Sequence, residues 1–205
     1  MSELFFTERA LECIARQILN QYDPFYLNGN PRAVPLEKIV EDAFGLRIEY
    51  VRLTESDDGE LGRMIYDDGY TTVYDPDTED YELFKVSAGT ILIDCRLLTD
   101  PKLYGRYRYT LAHELAHWVL HKKLFQGTRT AAATYGESLS CNSTEWQANH
   151  LAKALLMPVG QVKRAFFGLA MQKRTSAAQL QSLANIFEVS KQAMEYRLKE
   201  FGLLR

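Results

Sequence analysis

The sequence predicts an α+β fold, with a small, mostly antiparallel sheet packed on a helical core and further helices at the C-terminal end. Three observations carry this. Apolar residues near the start, at Leu4, Leu11, Ile14, Ala15, Ile18 and Leu19, fall at helical spacing. Residues 46–94 hold short β-rich runs separated by Asp-Gly and Gly turns. From about residue 100 onward, nearly every segment reads as helix.

Taken in order, Leu4 to Leu19 is a helix and Asn28-Gly29-Asn30-Pro31 a loop. Pro35 opens a second helix to about Phe44, and Gly45 suits its C-terminal cap. Leu46 to Leu53 alternates as a strand does. Further strands are expected at Leu61 to Tyr66, Tyr70 to Tyr74 and Thr90 to Asp94, with Asp67-Asp68-Gly69 joining the first two as a hairpin. Pro101 opens a long helix through Leu120, capped by Asp100 or Thr99. Residues 126–144 read as a loop. Thr144 to Leu156 is a second strong helix closed by Pro158, and the rest is helical.

A chain of 205 residues with 46% hydrophobic and 25% charged residues suits one domain, or one domain with a helical appendage. No apolar run approaches the roughly 18 residues of a membrane span, so no membrane partner is expected. The first residues carry Glu3, Glu8 and Glu12 rather than a basic start, so export is not expected. Three cysteines without a CxxC pair argue against a disulfide framework and a cysteine zinc knuckle, and fit a reducing cytoplasm. Charge is split: residues 1–100 hold 21 acids and 9 bases, residues 101–205 hold 6 and 15. Between Glu55 and Glu82, eleven acids accompany one base, Arg63. Turn chemistry between strands accounts for this most simply, since Asp-Asp-Gly recurs there; a face that steers a partner is the alternative.

The segment Thr110-Leu111-Ala112-His113-Glu114-Leu115-Ala116-His117 contains H-E-x-x-H inside a helix. Positions i and i+4 lie about 40° apart around a helix axis, so His113 and His117 share a face and can bind one zinc ion. Glu114 stands beside the first ligand, where a general base of a zinc peptidase sits. The alternative is a helix with two satisfied core histidines. Leu111, Leu115, Trp118 and Val119 form an apolar stripe away from the histidines. For a third ligand, His121 lies too far round from His113 on a straight helix. Glu145 is the better candidate, at the start of the second strong helix, with Asn149 on its face. Ala112, Ala116, Ala148 and Ala152 would let the two helices approach. The alternative for Glu145 is an acid placed for the helix dipole.

Arg106 to His121, followed by Glu145-Trp-Gln-Ala-Asn-His-Leu-Ala-Lys-Ala-Leu-Leu-Met-Pro158, resembles the ImmA/IrrE family of bacterial and phage metallo-endopeptidases. Pro35 to Ile39 and Gly45 to Tyr50 resemble the helix–strand that opens the family's domain, so the resemblance spans roughly residues 30–160. It implies a zincin-like core and a gluzincin-like Zn2+ site, with His113, His117 and Glu145 as metal ligands and Glu114 as catalytic base. It also implies a substrate: a helix-turn-helix transcriptional repressor, cleaved to switch on mobile-element, phage or stress genes. Ala116 stands where Gly is more usual between the histidines, and His150 where an apolar residue is.

Tyr107, Tyr109, His121 and His150 are candidates for oxyanion stabilisation by chemistry alone, and the sequence does not choose among them. His121 and Asn149 are also expected as groups that support the ligands. A Cys141 thiolate able to block the metal is a lesser reading than an ordinary loop cysteine. Domains are expected at 1–160, the metallopeptidase unit, and 161–205, a helix-turn-helix-like extension that can pack on the same unit. Lys191, Arg197 and Lys199 give that extension some positive charge, but Lys191-Gln192-Ala193-Met194-Glu195 offers few groups for base contacts, so direct DNA binding is not expected. The rival reading is a non-catalytic regulator that binds a protein or DNA partner through these helices. The sequence fixes no oligomeric state.

Overall fold

The computed structural model of the protein describes residues 5–56, 58–127, 144–170 and 176–204. Helix α1 (Glu8–Tyr22) starts where the Thr7 hydroxyl accepts the Ala10 N–H, and it buries Leu11, Ala15, Ile18 and Leu19. Leu4, expected in this helix, lies outside the described residues. Short α2 (Phe25–Asn28) and α3 (Leu36–Lys38) follow, and a π-helical turn (Ile39–Ala43) extends α3. Gly45 ends this segment at φ +63°, the left-handed region where glycine carries no Cβ penalty.

Five strands come next: β1 (Arg47–Val51), β2 (Gly62–Ile65), β3 (Gly69–Asp75), β4 (Asp80–Val86) and β5 (Thr90–Asp94). The larger sheet has the order β1-β5-β2, with β1 parallel and β2 antiparallel to β5. β3 and β4 form a separate antiparallel pair. The expected hairpin of the Leu61 and Tyr70 strands does not form. β2 pairs instead with β5, whose five residues are all buried, and Asp68 accepts the Ala88 N–H across the turn. β3 takes as partner a strand the sequence reading missed. β4 carries Tyr81 and Leu83 on one face and Phe84 and Val86 nearby in sequence, which hides the alternation of a half-buried strand. The fold class stands as expected, α+β.

One face of the larger sheet, through Met64, Ile91 and Ile93, joins the main core with α1 and the later helices. The other face, through Leu53, Ile65 and Leu92, is covered by Val86 and Phe84 of the β3–β4 hairpin. Asp94 closes the sheet at the end of β5. Its carboxylate accepts the Leu53 N–H at 2.9 Å and pairs with Arg96 at 2.7 Å. Burial pushes the Asp94 pKa up, but the Arg96 side chain and the Leu53 and Arg96 N–H groups hold it below the ordinary carboxylate range.

A 3-10 turn (Pro101–Leu103), capped by Asp100, leads into the central helix α4 (Tyr104–Phe125). Then come α5 (Thr144–Leu156), α6 (Val159–Ala170), α7 (Ser176–Phe187) and α8 (Lys191–Glu200). Ala112 and Ala116 on α4, and Ala148 and Ala152 on α5, are all fully buried. Their lack of bulk lets the two helices run close together.

The C-terminal helices touch the rest of the chain at defined points. A Cβ on Gly105 would meet the Ser190 backbone nitrogen at 2.8 Å, so the α7–α8 turn rests directly on α4. Buried Arg108 of α4 donates to the Val34 carbonyl at 2.7 Å and faces Glu188 in that turn at 3.5 Å. Arg197 of α8 donates to the Met157 carbonyl, pairs with Glu12 of α1 and with Glu200, and packs over the Phe201 ring. Ser190 caps α8 as expected. Among the described residues, no helix is long and apolar enough to cross a membrane.

Candidate metal centre

His113 and His117 lie one turn apart in the middle of α4, and Glu145 lies in the first turn of α5. The close approach of these helices brings the three together. His113 Nε2 and His117 Nε2 are 3.0 Å apart, and the two Glu145 carboxylate oxygens lie 3.2 Å from one imidazole nitrogen each. A tetrahedral zinc ion with bonds of 2.0–2.1 Å spaces its donors about 3.3 Å apart. The donor set and its spacing therefore fit a small divalent metal. Among the described residues, no fourth His, Cys, Asp or Glu joins the three.

The outer nitrogens are engaged in turn. His113 Nδ1 lies 3.0 Å from Asn149 Oδ1, which also accepts the Tyr109 hydroxyl at 2.7 Å. An amide oxygen only accepts, so Nδ1 carries the proton and Nε2 turns its lone pair toward the centre. His117 Nδ1 lies 3.2 Å from His121 Nδ1. Burial, with the neighbouring His117, lowers the His121 pKa to about 4, against the pull of Gln147, and keeps that ring neutral. His121 thus touches His117 and stands outside the three-donor group. Asn149 and His121, expected as supporting residues, are the two side chains on the outer nitrogens.

The electrostatics fit a site that attracts a cation. Burial of Glu145 favours its neutral form, but the His113 and His117 rings against it hold it well below the ordinary carboxylate range, so it is ionised. Burial of His113 opposes its charging, yet Glu145, Glu114 and Asn149 together raise its pKa. Two imidazoles and a carboxylate concentrate acceptor groups at one point inside the protein, where an unpartnered lone pair is costly.

Glu114, 3% exposed, lies beside this group without joining it. Burial raises its pKa, the two histidines oppose this, and Glu60 and Glu145 reinforce it. Its side chain is backed by β2: a Cβ on Gly62 would stand 3.0 Å from Glu114 Oε1 and 2.6 Å from Thr110 Cγ2. Only glycine lets the strand lie this close.

The oxyanion candidates separate. Tyr107 turns away to the Tyr50 hydroxyl at 3.0 Å, and His150 packs on Trp146 and faces Glu8. Tyr109 is held by Asn149, its pKa raised by burial and nearby carboxylates to about 12. Tyr66, which sequence reasoning passed over, stacks on Trp118, and the charges of Glu114 and Glu145 add to the burial that raises its pKa. It follows β2 with no motif around it, so only the fold brings it near the site. Cys141 lies outside the described residues.

No curated protein matches the chain. Among solved structures it resembles a Mycobacterium tuberculosis transcriptional regulator, with 17% identity and a TM-score of 0.50 over 95% of this chain and 56% of that one. At that identity the likeness is one of fold, and the chain spans little more than half of that structure's length. Residues 98–199, running through α4 and α5 and on past residue 160 into α8, match the family model Peptidase_M78, the IrrE N-terminal-like domain. By that match, the chain belongs to the IrrE N-terminal-like family of metallopeptidase-type proteins.

Proposed function

We propose that the protein is a zinc-dependent endopeptidase that cleaves a helix-turn-helix transcriptional repressor or similar regulatory protein. The observation that carries this is the convergence of His113, His117 and Glu145 at 3.0–3.2 Å with Glu114 buried beside them. A structural metal site has no use for an acid next to its ligands, whereas a hydrolytic one requires a base there. In this reading His113, His117 and Glu145 hold the metal, and Asn149 and His121 orient the two rings. Bound zinc would supply Lewis acidity toward a carbonyl and toward water. Glu114 takes the proton of the attacking water on its carboxylate and returns it to the leaving amine. Its raised pKa suits a group that must hold that proton between the two steps. The repressor class rests on the family and accords with a transcriptional regulator as structural relative.

The test is metal content per chain by elemental mass spectrometry, with His113→Ala and Glu145→Ala beside wild type, all checked for folding. About one zinc in wild type and little in either variant is expected. A folded wild-type protein that takes up no zinc would sink the peptidase reading.

A further inference from the structure

The β3–β4 hairpin presents two unlike faces. Directly opposed residues share a face, so Val73, Phe84 and Val86 lie on one side, of which Phe84 and Val86 pack on the larger sheet. The other side carries Tyr70, Thr72 and Tyr74 opposite Lys85, Leu83 and Tyr81. Leu83 is 73% exposed, Tyr70 69% and Tyr81 49%. Tyr74 and Tyr81 meet edge to face at 5.4 Å, and the Tyr81 hydroxyl accepts the Glu55 N–H, which fixes that end of the face. Three large apolar side chains held outward on a fixed sheet surface are unusual for a face that meets only water.

Around this face acids outnumber bases. Asp77, Glu79 and Asp80 are exposed at the β3–β4 turn, Glu55 lies beside Tyr81 at one end, and Asp67 and Asp68 precede β3 at the other, while Glu82 opposes Val73 on the opposite side. Arg63, the one base between Glu55 and Glu82, is bound to Glu60 and to Thr71 and Thr72 of β3, Lys85 lies on the face, and Arg52 stands over its Tyr74 ring at 5.9 Å. The same Arg63 links the hairpin to β2, next to Gly62, whose backbone lies against Glu114. The face is thus joined to the metal centre through adjacent residues of one strand.

We infer that the outer face of the β3–β4 hairpin is a docking surface for the basic, Lys- and Arg-rich surface of a regulatory protein, apolar contacts seating it and the acidic rim selecting it. DNA-contacting surfaces have this composition, basic groups interleaved with apolar ones. The inference rests on the proposed peptidase reading in that it names how the substrate is recognised away from the bond that is cut. Complementary charge of this kind steers encounter and suppresses partners of the wrong sign.

The test uses the full chain with Glu114→Gln, so that nothing is cleaved. The probe is a fluorescent helical peptide of about 20 residues, Lys and Arg on one face and Leu on the other, beside a twin with Glu in place of the bases. Binding is read by anisotropy. The basic peptide should bind at least ~10-fold more tightly than its twin, with affinity falling ~10-fold between about 50 and about 300 mM salt. Tyr70→Ser with Leu83→Ser should weaken binding ~10-fold or more. Asp77→Asn with Glu79→Gln should weaken it and flatten the salt dependence. Equal binding of the two peptides, or indifference to both sets of substitutions, would overturn the inference. So would self-association of the chain that the Tyr70 and Leu83 substitutions abolish, since a second copy would then cover the face. Metal content measured on the same samples separates the two readings. One zinc with no preference between peptides removes the docking surface alone, and no zinc with selective binding removes the peptidase alone.

Discussion

Two polar clusters are buried in the helical layer, and they are built in opposite ways. Arg197 brings a cation inside and meets acceptors on every side: the Met157 carbonyl, Glu12, Glu200 and the Phe201 ring. The cluster of His113, His117 and Glu145 brings acceptors inside and points them at one another. The first is complete as a protein interaction and ties helices together. The second is completed only by a positive charge from elsewhere, a proton or a metal. A buried charge is thus read by whether the protein itself closes its shell. A closed shell serves structure, and an open one marks a site.

The largest expected effect falls on the open cluster. In the proposed peptidase reading, Glu114→Gln should lower substrate cleavage about 10²–10⁴-fold, measured as kcat, while zinc content stays at the wild-type level. Cleavage at the wild-type rate would remove Glu114 from the reaction. In the closed cluster, Arg197→Ala should cost about 1–3 kcal/mol, read by urea unfolding, because the buried Met157 carbonyl is left without its donor and Glu12 loses its partner. Zinc per folded chain should not change. A loss of zinc together with a mild loss of stability would mean that the two clusters are not independent.

Acid should separate them in order. Metal binds deprotonated imidazole, and the ordinary His value is 6.5, raised further for His113 in the metal-free protein. Zinc affinity should therefore fall as pH drops from about 7 to about 5. Glu200 behaves oppositely. Burial pushes its pKa up, but Lys153 and Arg197 hold it below the ordinary 4.5. Its contribution is full above that value and is lost as pH falls through the lower folded-state value. Helical circular dichroism should thus persist to about pH 4, after the zinc has gone; simultaneous loss of both would contradict the distinction.

Smaller effects test the supports. Asn149→Ala should weaken zinc binding about 10–100-fold without unfolding the protein, since His113 loses the acceptor on its outer nitrogen. Gly62→Ala should destabilise by about 1–3 kcal/mol and lower cleavage, because the added methyl displaces Thr110 and Glu114.

The helices that carry the site follow from local signals in the sequence. The H-E-x-x-H spacing, the alanines of α4 and α5, and the Pro and Ser caps all act within a few residues, and α5 runs over the expected residues. The sheet does not, because its pairing is decided at long range. Asp67-Asp68-Gly69 has the chemistry of a hairpin turn, yet β2 is claimed by the wholly buried β5. Arg108 and Arg197 were equally hidden. Arg197 counted in the sequence only toward the positive charge of the C-terminal extension, and the arrival of Glu12 and the Met157 carbonyl from distant parts of the chain turns it inward. The basic groups of α8 are in part used up this way: Arg197 is buried, and Lys199 pairs with Glu195 at 2.7 Å.

The parallel pairing of β1 with β5 bears on how fast the molecule forms. Arg47 pairs with Thr90, so a stretch of 43 positions must close before the first rung of that ladder can form. Closing it costs on the order of 3 kcal/mol of chain entropy. The β3–β4 hairpin is a local structure that can form within microseconds, and once formed it shortens the open stretch. By the same logarithmic rule this recovers only about 0.4 kcal/mol, a factor of about two in rate. Refolding should therefore be limited by the arrival of β5, and variants of Ile91 and Ile93 should slow it far more than those of Tyr74 and Tyr81, a contrast that stopped-flow refolding would reveal directly.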